Sequence, residues 1–451
     1  ETAQDYDRRA KSSISNRRRG GVPGVARADR EPPMSEAPVL ILLARSAAPS
    51  PTADVARGLD RDPIILGLSL IQRTVLASRR AGFAQVFLLG GGDRRATGIA
   101  PAADWTSLAA ALSSACPTPL IIAPADILAE GGWLERVASM QIQPAAWAAI
   151  PNRIVVLAPG SAADAARELD KDGGARELAD VEARLAHRFG PRAPISADIV
   201  PMIVETPADV GVAERRLLKS LVKDTDGFMA RHVERPISLQ ISRRLAGTGI
   251  TPNQMSLISV AVGICGGPFF LSSRPLMQTL GALLFLAHSI LDGCDGELAR
   301  LKFQQSRWGG VLDFWGDNVV HTVIFACMGV GWSLAADSPW PLALGAAAVL
   351  GTLGSAGFVY CRLMRSKDGD DTLFTSVSDA PERPLTRLLD SASRRDFIYL
   401  VILLALFGRS SWFLVMAGIG APIYFVLVLF AARRQPSLKA GGSTVASASN
   451  P

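Results

Sequence analysis

Cysteine is scarce: five stand in 451 residues, Cys116, Cys265, Cys294, Cys327 and Cys361. They are odd in number and lack the paired spacing of a disulfide framework or a thiolate metal site. Four lie in or beside apolar segments, which makes them packing residues of a reducing compartment. No basic patch interleaved with aromatics and no nucleic-acid motif accompanies the formal net charge of +6, so nucleic acid is excluded as a partner. The basic residues stand instead beside apolar runs, where anionic lipid headgroups attract them. Residues 1–37, rich in Arg, Ser, Gly and Pro, lack the apolar core of a secretory signal and read as a disordered basic segment. Met34, followed by SEAPVLILLA, reads as a natural start, with the preceding residues an upstream extension. Between residues 38 and 219 no run reaches the roughly 20 apolar residues of a membrane span, so this half is expected to be soluble.

What is present points to two parts. Hydrophobic residues make up 49% and charged residues 20% of the chain, and the mean hydropathy is +0.24. A chain this long predicts two or three domains. Residues 38–221 alternate short apolar runs with helical ones, the pattern of an α/β, Rossmann-like domain with a mainly parallel sheet. Strands are expected over 39–43, 85–89, 119–123 and 154–157, and helices over 66–80, 104–116 and 162–169. Residues 222–250 mix Arg, His and Lys with Phe228, Met229, Ile237, Leu239 and Ile241, which suits an amphipathic juxtamembrane helix with His232 at the interface.

Residues 251–433 form an all-α membrane domain with six apolar runs, at 254–272, 276–291, 311–335, 341–364, 397–407 and 412–432. The fifth is short and needs flanking residues to span. If the runs alternate, Arg243, Arg244, Arg300, Lys302, Arg307, Arg362, Arg365, Lys367, Arg394, Arg395, Arg433 and Arg434 share one side, and only Arg274 and Arg409 the other. The positive-inside rule then predicts a multi-pass protein of the cell membrane with both ends of this half on the cytoplasmic side. The tail 434–451 is low in complexity and reads as disordered.

The chemistry concentrates in residues 291–321, LDGCDGELARLKFQQSRWGGVLDFWGDNVVH, between two apolar runs. Asp292, Asp295 and Ala299 stand three and four apart, and Asp313 and Asp317 four apart, so each set lies on one helix face. Two facing helices bring the four acids together. Such a cluster needs a cation or retained protons, and an all-oxygen set suits Mg2+ or Mn2+. Gly296 and Gly309 leave room for close approach to the backbone, and Arg300 offers a planar fork for phosphate. The alternating ligands and closing Glu of an EF-hand are absent. A solvated face is disfavoured because acids at membrane depth are costly.

Asp292, Asp295, Gly296, Ala299, Arg300, Gly309, Asp313 and Asp317 fall on every fixed position of D-x2-D-G-x2-A-R-x8-G-x3-D-x3-D, and the chain thereby resembles the CDP-alcohol phosphotransferases. Residues 235–257, with TPNQMS where TPN-x-x-T is usual, resemble that family's entry into its first span, and Ser256 keeps the hydroxyl. Arg394-Arg395-Asp396-Phe397 is similar as well. The resemblance covers the C-terminal half. It implies transfer of a substituted phosphoryl group from a CDP-linked donor, CDP-diacylglycerol or CDP-inositol, to an acceptor alcohol with release of CMP, in phospholipid or inositol-phosphodiester synthesis. It implies two ions of Mg2+ or Mn2+ on Asp292, Asp295, Asp313 and Asp317, with Asp317 as the base. It also implies that Asn253, Ser256, Asp292, Gly296, Ala299, Arg300 and Gly309 hold the CDP moiety, an active site on the cytoplasmic side, and a homodimer. Cys294 occupies a variable position of the signature.

The N-terminal half more faintly resembles the sugar-phosphate nucleotidyltransferase domains fused to some members, as in bifunctional inositol-phosphate cytidylyltransferase/di-myo-inositol-phosphate-phosphate synthases. The likeness lies in VLILLA, in IIAPADI with Asp126, and in VETPADVGVAERRLLKSL. The loop after the first strand, ARSAAPSPTADVARGLDRDP, has no glycine until Gly58, and Arg61-Asp62-Pro63 stands where Lys-Pro is expected. Backbone amides then lack an easy approach to phosphates. A degenerate domain that does not make its own CDP-alcohol is expected. Gly90-Gly91-Gly92 reads as a turn and Asp368 to Asp371 as a solvated loop. His288 and His321 are candidates for headgroup contact or for packing, and Gly263, Gly266, Gly267, Gly351, Gly354, Ala356 and Gly357 for close helix approach. A UbiA-like intramembrane prenyltransferase is the alternative enzyme, with different acid spacing. A pseudoenzyme recruiting a partner through its N-terminal half suits the degenerate loop, and a transporter lacks a repeat of the acid motif.

Overall fold

The computed structural model describes residues 37–44, 62–90, 99–102, 104–112, 119–130, 132–140, 142, 146–158, 161–175, 177–195, 201–222, 226–365 and 397–433. Residues 1–36 of the N-terminal segment expected to be disordered, the C-terminal tail 434–451, the loop at 45–61, Gly91, Gly92, Cys116, Asp368 to Asp371 and Arg394 to Asp396 lie outside these residues.

The N-terminal half runs β1 (Val39–Leu43), β2 (Ile64–Ile65), β3 (Leu68–Ser69), α1 (Leu70–Arg80), β4 (Gln85–Leu89), β5 (Ala100–Ala102), α2 (Trp105–Leu112), β6 (Leu120–Pro124), α3 (Trp133–Ala138), β7 (Trp147–Ile150), β8 (Ile154–Leu157), α4 (Ala162–Asp170), α5 (Leu178–Phe189), β9 (Ala193–Pro194) and α6 (Pro207–Lys219). Seven strands form one sheet in the order β5-β4-β1-β6-β8-β7-β9. All five residues of β1 are buried, because helices cover both faces. Val39, Ile41 and Leu43 pack with Trp105, Leu108, Val181 and Leu185 on one side. Leu40 and Leu42 pack with Ile71, Val75 and Trp133 on the other. This burial on both faces turns a strand into a continuous apolar run rather than an alternating one.

The expected parallel arrangement holds for β1 with β4 and β6, but β8 runs antiparallel to both β6 and β7, so the sheet is mixed. Nor does α1 begin at residue 66. Leu66 and Gly67 form the turn of a two-residue-a-side ribbon, both at positive φ, and the Ser69 side chain caps the helix by accepting from the Gln72 amide.

A turn of π-helix, Ala230–Glu234, leads into α7 (Arg235–Ala246). The helices α8 (Pro252–Gly266), α9 (Pro275–Leu301), α10 (Arg307–Ala336), α11 (Trp340–Arg365), α12 (Phe397–Leu406) and α13 (Ser410–Arg433) follow. Among the described residues five helices are long and apolar enough to cross a membrane: Pro252–Leu271, which extends α8 by a 3-10 turn, α9, α10, Trp340–Arg362 and Ser410–Phe430. The expected sixth, α12, has 10 described residues, a rise of about 15 Å against a hydrocarbon core of about 30 Å. The protein is a multi-pass membrane protein, with Leu276, Leu283, Leu350, Ile423 and Phe430 among its exposed apolar side chains.

The two halves share a core. Ile65, Leu66 and Leu70 of the N-terminal half, Val204 and Leu217 beside them, Ala246 of α7, Met255 of α8 and Cys294, Leu298 and Leu301 of α9 form one cluster of buried apolar residues. The sheet of the N-terminal half is thereby seated on the end of α9 that carries the acid motif.

Candidate active site

The site is built where α8, α9 and α10 converge. Thr251 starts α8 with a capping box, its side chain accepting from the Gln254 amide while Gln254 answers to the Thr251 amide, and Pro252 occupies the first turn. Ser306 starts α10 by accepting from the Gly309 amide at 3.0 Å. These two caps set Asn253, Ser256 and Gly309 at one end of the bundle. A Cβ on Gly309 would lie 3.0 Å from Asn253 Oδ1 and 3.1 Å from Ser306 Oγ, so glycine is what lets the two helix starts meet.

Asp292 and Asp295 on α9 are 5% and 6% exposed, and Asp313 faces them from α10. One carboxylate oxygen from each of the three lies within 4.8 Å of the others. Three carboxylates that close, largely out of water, repel one another strongly, and a hard divalent cation is the species that an all-oxygen set of this size accommodates. Asp317 stands outside this group of three. Its Oδ1 lies 3.3 Å from Nε2 of the buried His288, whose Nδ1 is 3.0 Å from the Ser259 carbonyl. Since a carbonyl only accepts, Nδ1 carries a proton there.

Ser256, expected at the nucleotide, is buried and donates its hydroxyl to Asp295. It orients a carboxylate. Arg300 folds its guanidinium over Gly296, with Nη1 3.4 Å from where a Cβ would sit. Its Nε is buried with no hydrogen-bond partner among the described residues, a donor placed for an anion beside the acids. Ala299 lies on α9 between this arginine and the carboxylates. The expected site residues thus fall into three groups: the triad with its serine, the Asp317–His288 pair, and the Asn253–Gly309 and Gly296–Arg300 approaches.

Sequence reasoning missed Glu297. It is fully buried and accepts from Ser238 Oγ at 2.7 Å, Ser242 Oγ at 2.7 Å and Arg235 Nη1 at 2.8 Å. Arg235 also grips Asp226 through Nε and Nη2 at 2.9 and 3.0 Å. A buried carboxylate survives only when so paired, and here the pairing ties α7 to the signature helix. The signal was available: an acid in an apolar helix, off the spacing of the other four. The role of His288 as the partner of Asp317 was also unassigned. His321 packs among Phe285, Phe325 and Phe397, and the His232 ring, stacked near Phe228, meets the Phe228 carbonyl at 2.8 Å.

Residues 249–372 match the CDP-alcohol phosphatidyltransferase family. Over 126 residues the chain is 39% identical to the bifunctional IPC transferase and DIPP synthase of Thermococcus kodakarensis, which is 28% of this chain and 28% of that one. The chain therefore spans less than a third of that relative's length in the match. The archaetidylinositol phosphate synthase of Pyrococcus horikoshii is 27% identical over 176 residues, covering 38% of this chain and 86% of that one. The crystal structure of Mycobacterium tuberculosis phosphatidylinositol phosphate synthase with CDP-DAG bound aligns with a TM-score of 0.33 at 18% identity, over 46% of this chain and 100% of that one. The matched segment holds every fixed position of the acid signature, and over that segment the chain is similar to the CDP-alcohol phosphatidyltransferases.

Proposed function

We propose that the chain is an integral-membrane CDP-alcohol phosphotransferase, which moves a substituted phosphoryl group from a CDP-linked donor to an acceptor alcohol and releases CMP. The observation that carries this reading is the meeting of Asp292, Asp295 and Asp313 within 4.8 Å beside a buried guanidinium with a free donor. A diphosphate brings several negative charges, and the triad alone would repel it. A divalent ion held by the triad, Mg2+ or Mn2+ and in the family pattern two of them, supplies the charge neutralisation that lets anionic donor and carboxylates coexist. Arg300 then binds diphosphate oxygens through its planar fork. Asn253 and Gly309 border the same approach and are assigned to the nucleotide.

In the reaction the acceptor hydroxyl oxygen bonds to the phosphorus that carries the donor's alcohol, and the bond from that phosphorus to the CMP oxygen breaks. The hydroxyl proton passes to Asp317. Its neighbour His288, anchored to the Ser259 carbonyl, places Nε2 3.3 Å from the Asp317 carboxylate. The rest of the donor, CDP-diacylglycerol or CDP-inositol, and the acceptor enter at the end of the helices where lipid and water meet. We place this end, with both termini of the membrane domain, on the cytoplasmic side on the strength of the basic residues that share it. The N-terminal half is assigned as a nucleotidyltransferase-like domain that does not make its own CDP-alcohol.

The test is CMP release by the purified full chain in detergent, with Mg2+ or Mn2+, offering CDP-diacylglycerol or CDP-inositol against a panel of alcohols and inositol phosphates. Release is expected to need the metal and one class of acceptor, and to stop with chelator. Release of isoprenoid products from prenyl diphosphates, with none of CMP, would replace this reading with a prenyltransferase.

A further inference from the structure

The last turn of any α-helix leaves carbonyls without intrahelical partners. At the end of α9 most are met locally: the Leu298 carbonyl accepts from the Lys302 amide at 2.9 Å, that of Ala299 from Gln304 at 2.9 Å, and that of Arg300 from Phe303 at 3.4 Å. The Leu301 carbonyl is met from far away in the chain. Nη1 of Arg73, on α1 of the soluble domain, donates to it at 3.1 Å, while Nη2 of the same guanidinium donates to the Ile65 carbonyl at 2.8 Å. Arg73 is 1% exposed. Such burial of an arginine is rare unless its donors are used; here both terminal nitrogens are, while Nε meets no partner among the described residues.

The surroundings hold this contact in one geometry. Phe303 has φ +57, a left-handed conformation that a bulky side chain adopts only when its neighbours enforce it. Its ring lies under two guanidiniums of α1, that of Arg80 at 5.2 Å and that of Arg73 at 5.8 Å from the centroid. Lys302 donates to the Thr248 and Ile250 carbonyls, both at 2.8 Å, which ties the same corner to the start of α8. Gly67, in the ribbon before α1, presses on the end of α7 so closely that a Cβ would lie 2.1 Å from the Ala246 carbonyl oxygen. Burial draws the Arg73 guanidinium down to about 10, which still leaves it charged at neutral pH.

The capped residue, Leu301, directly follows Arg300. We propose that Arg73 of the soluble domain is a positioning residue for the phosphotransfer site: by capping the signature helix at Leu301 it holds Arg300 in register with the diphosphate of the donor. The soluble domain then serves the membrane reaction as a brace, without nucleotide chemistry of its own. This rests on the function proposed above.

The test compares full-length wild type with Arg73→Ala and Arg73→Lys in detergent with Mg2+. Loss of a hydrogen bond from a charged donor corresponds to about tenfold in an equilibrium constant. In Arg73→Ala the KM for the CDP-linked donor and the dissociation constant for CDP are expected to rise about tenfold, with the acceptor's KM within about twofold. Arg73→Lys, which reaches one carbonyl but not both, is expected to fall between. A merely structural role would lower the active fraction and leave both KM values unchanged, and that result would overturn the proposal, as would unchanged CDP affinity in both variants. If wild type itself binds no CDP, the phosphotransferase reading fails; if wild type binds and Arg73→Ala binds equally, only the brace does. Should Arg73→Ala not fold, Arg73→Lys alone decides by the same donor-against-acceptor split.

Discussion

At the scale of single residues, the most exacting test falls on Asp317. It stands outside the group of three convergent acids and faces His288, so the proposed base and the proposed ion-holding groups are separable by substitution. Asp317→Asn keeps the shape and removes the proton acceptor. Its kcat is expected to fall about 100-fold or more, as for loss of a general base, with CDP affinity within about twofold of wild type. Turnover above about a tenth of wild type would move the base elsewhere. Asp292→Asn is expected to behave differently, losing CDP affinity together with turnover, because it empties a place in the triad. The four acids were legible because their spacing survives folding unchanged: three and four residues are one helical turn whatever surrounds them. What spacing could not convey is that one of the four pairs with a histidine from the neighbouring helix, or that Ser256 serves Asp295. Those contacts depend on how α8 crosses α9 and α10, which no local pattern records.

At the scale of elements, the crossing itself is set by small residues. A Cβ on Gly263 would lie 2.6 Å from Val320 Cγ1 and 3.0 Å from His288 Cγ, so α8 and α10 touch through that glycine just behind the Asp317–His288 pair. Gly263→Ala is therefore expected to destabilise by about 1 to 3 kcal/mol through overpacking. The effect is read as a fall of a few degrees in the thermal midpoint in detergent, with kcat reduced because His288 must shift. Gly357→Ala, where no atom of the described residues lies within 4 Å of the added carbon, is the matched control and should change neither. Unequal midpoints are the decisive outcome, since equal ones would mean that the helices part at no cost. The elements themselves were largely legible. VLILL and IIA read as strands because both faces of the sheet are covered, whereas the caps at Thr251 and Ser306 emerged only from the structure. The direction of β8 was not legible, because an apolar run looks the same in either direction. Short strands such as β5 and β9 carry too few residues to make a pattern.

At the scale of the whole molecule, the N-terminal sheet, the α7 helix and the acid cluster all gather at one end of the bundle. Three independent attachments hold them there: the shared apolar cluster around Leu298 and Leu301, the Glu297 carboxylate bound by Ser238, Ser242 and Arg235, and Arg73 at the Leu301 carbonyl. The sequence hinted at two halves by composition, but the attachment is a property of tertiary packing between residues more than 200 positions apart, beyond any local pattern. This arrangement makes orientation a single question for both halves, because the N-terminal sheet cannot lie across the bilayer from the acids. The loop between α9 and α10 and the turn between α8 and α9 report it. Gln305 is exposed at the acid end, and Ser273 is exposed at the other. With the basic side cytoplasmic, a cysteine at Ser273 is expected to react with a membrane-impermeant maleimide on intact cells, above the labelling of the unmodified chain. A cysteine at Gln305 is expected to react only after permeabilisation. The reverse pattern would put the acids and the soluble domain outside, away from cytoplasmic CDP-linked donors, and would be incompatible with the proposed reaction however intact the site. Labelling of both positions from outside would show that α9 does not cross the membrane.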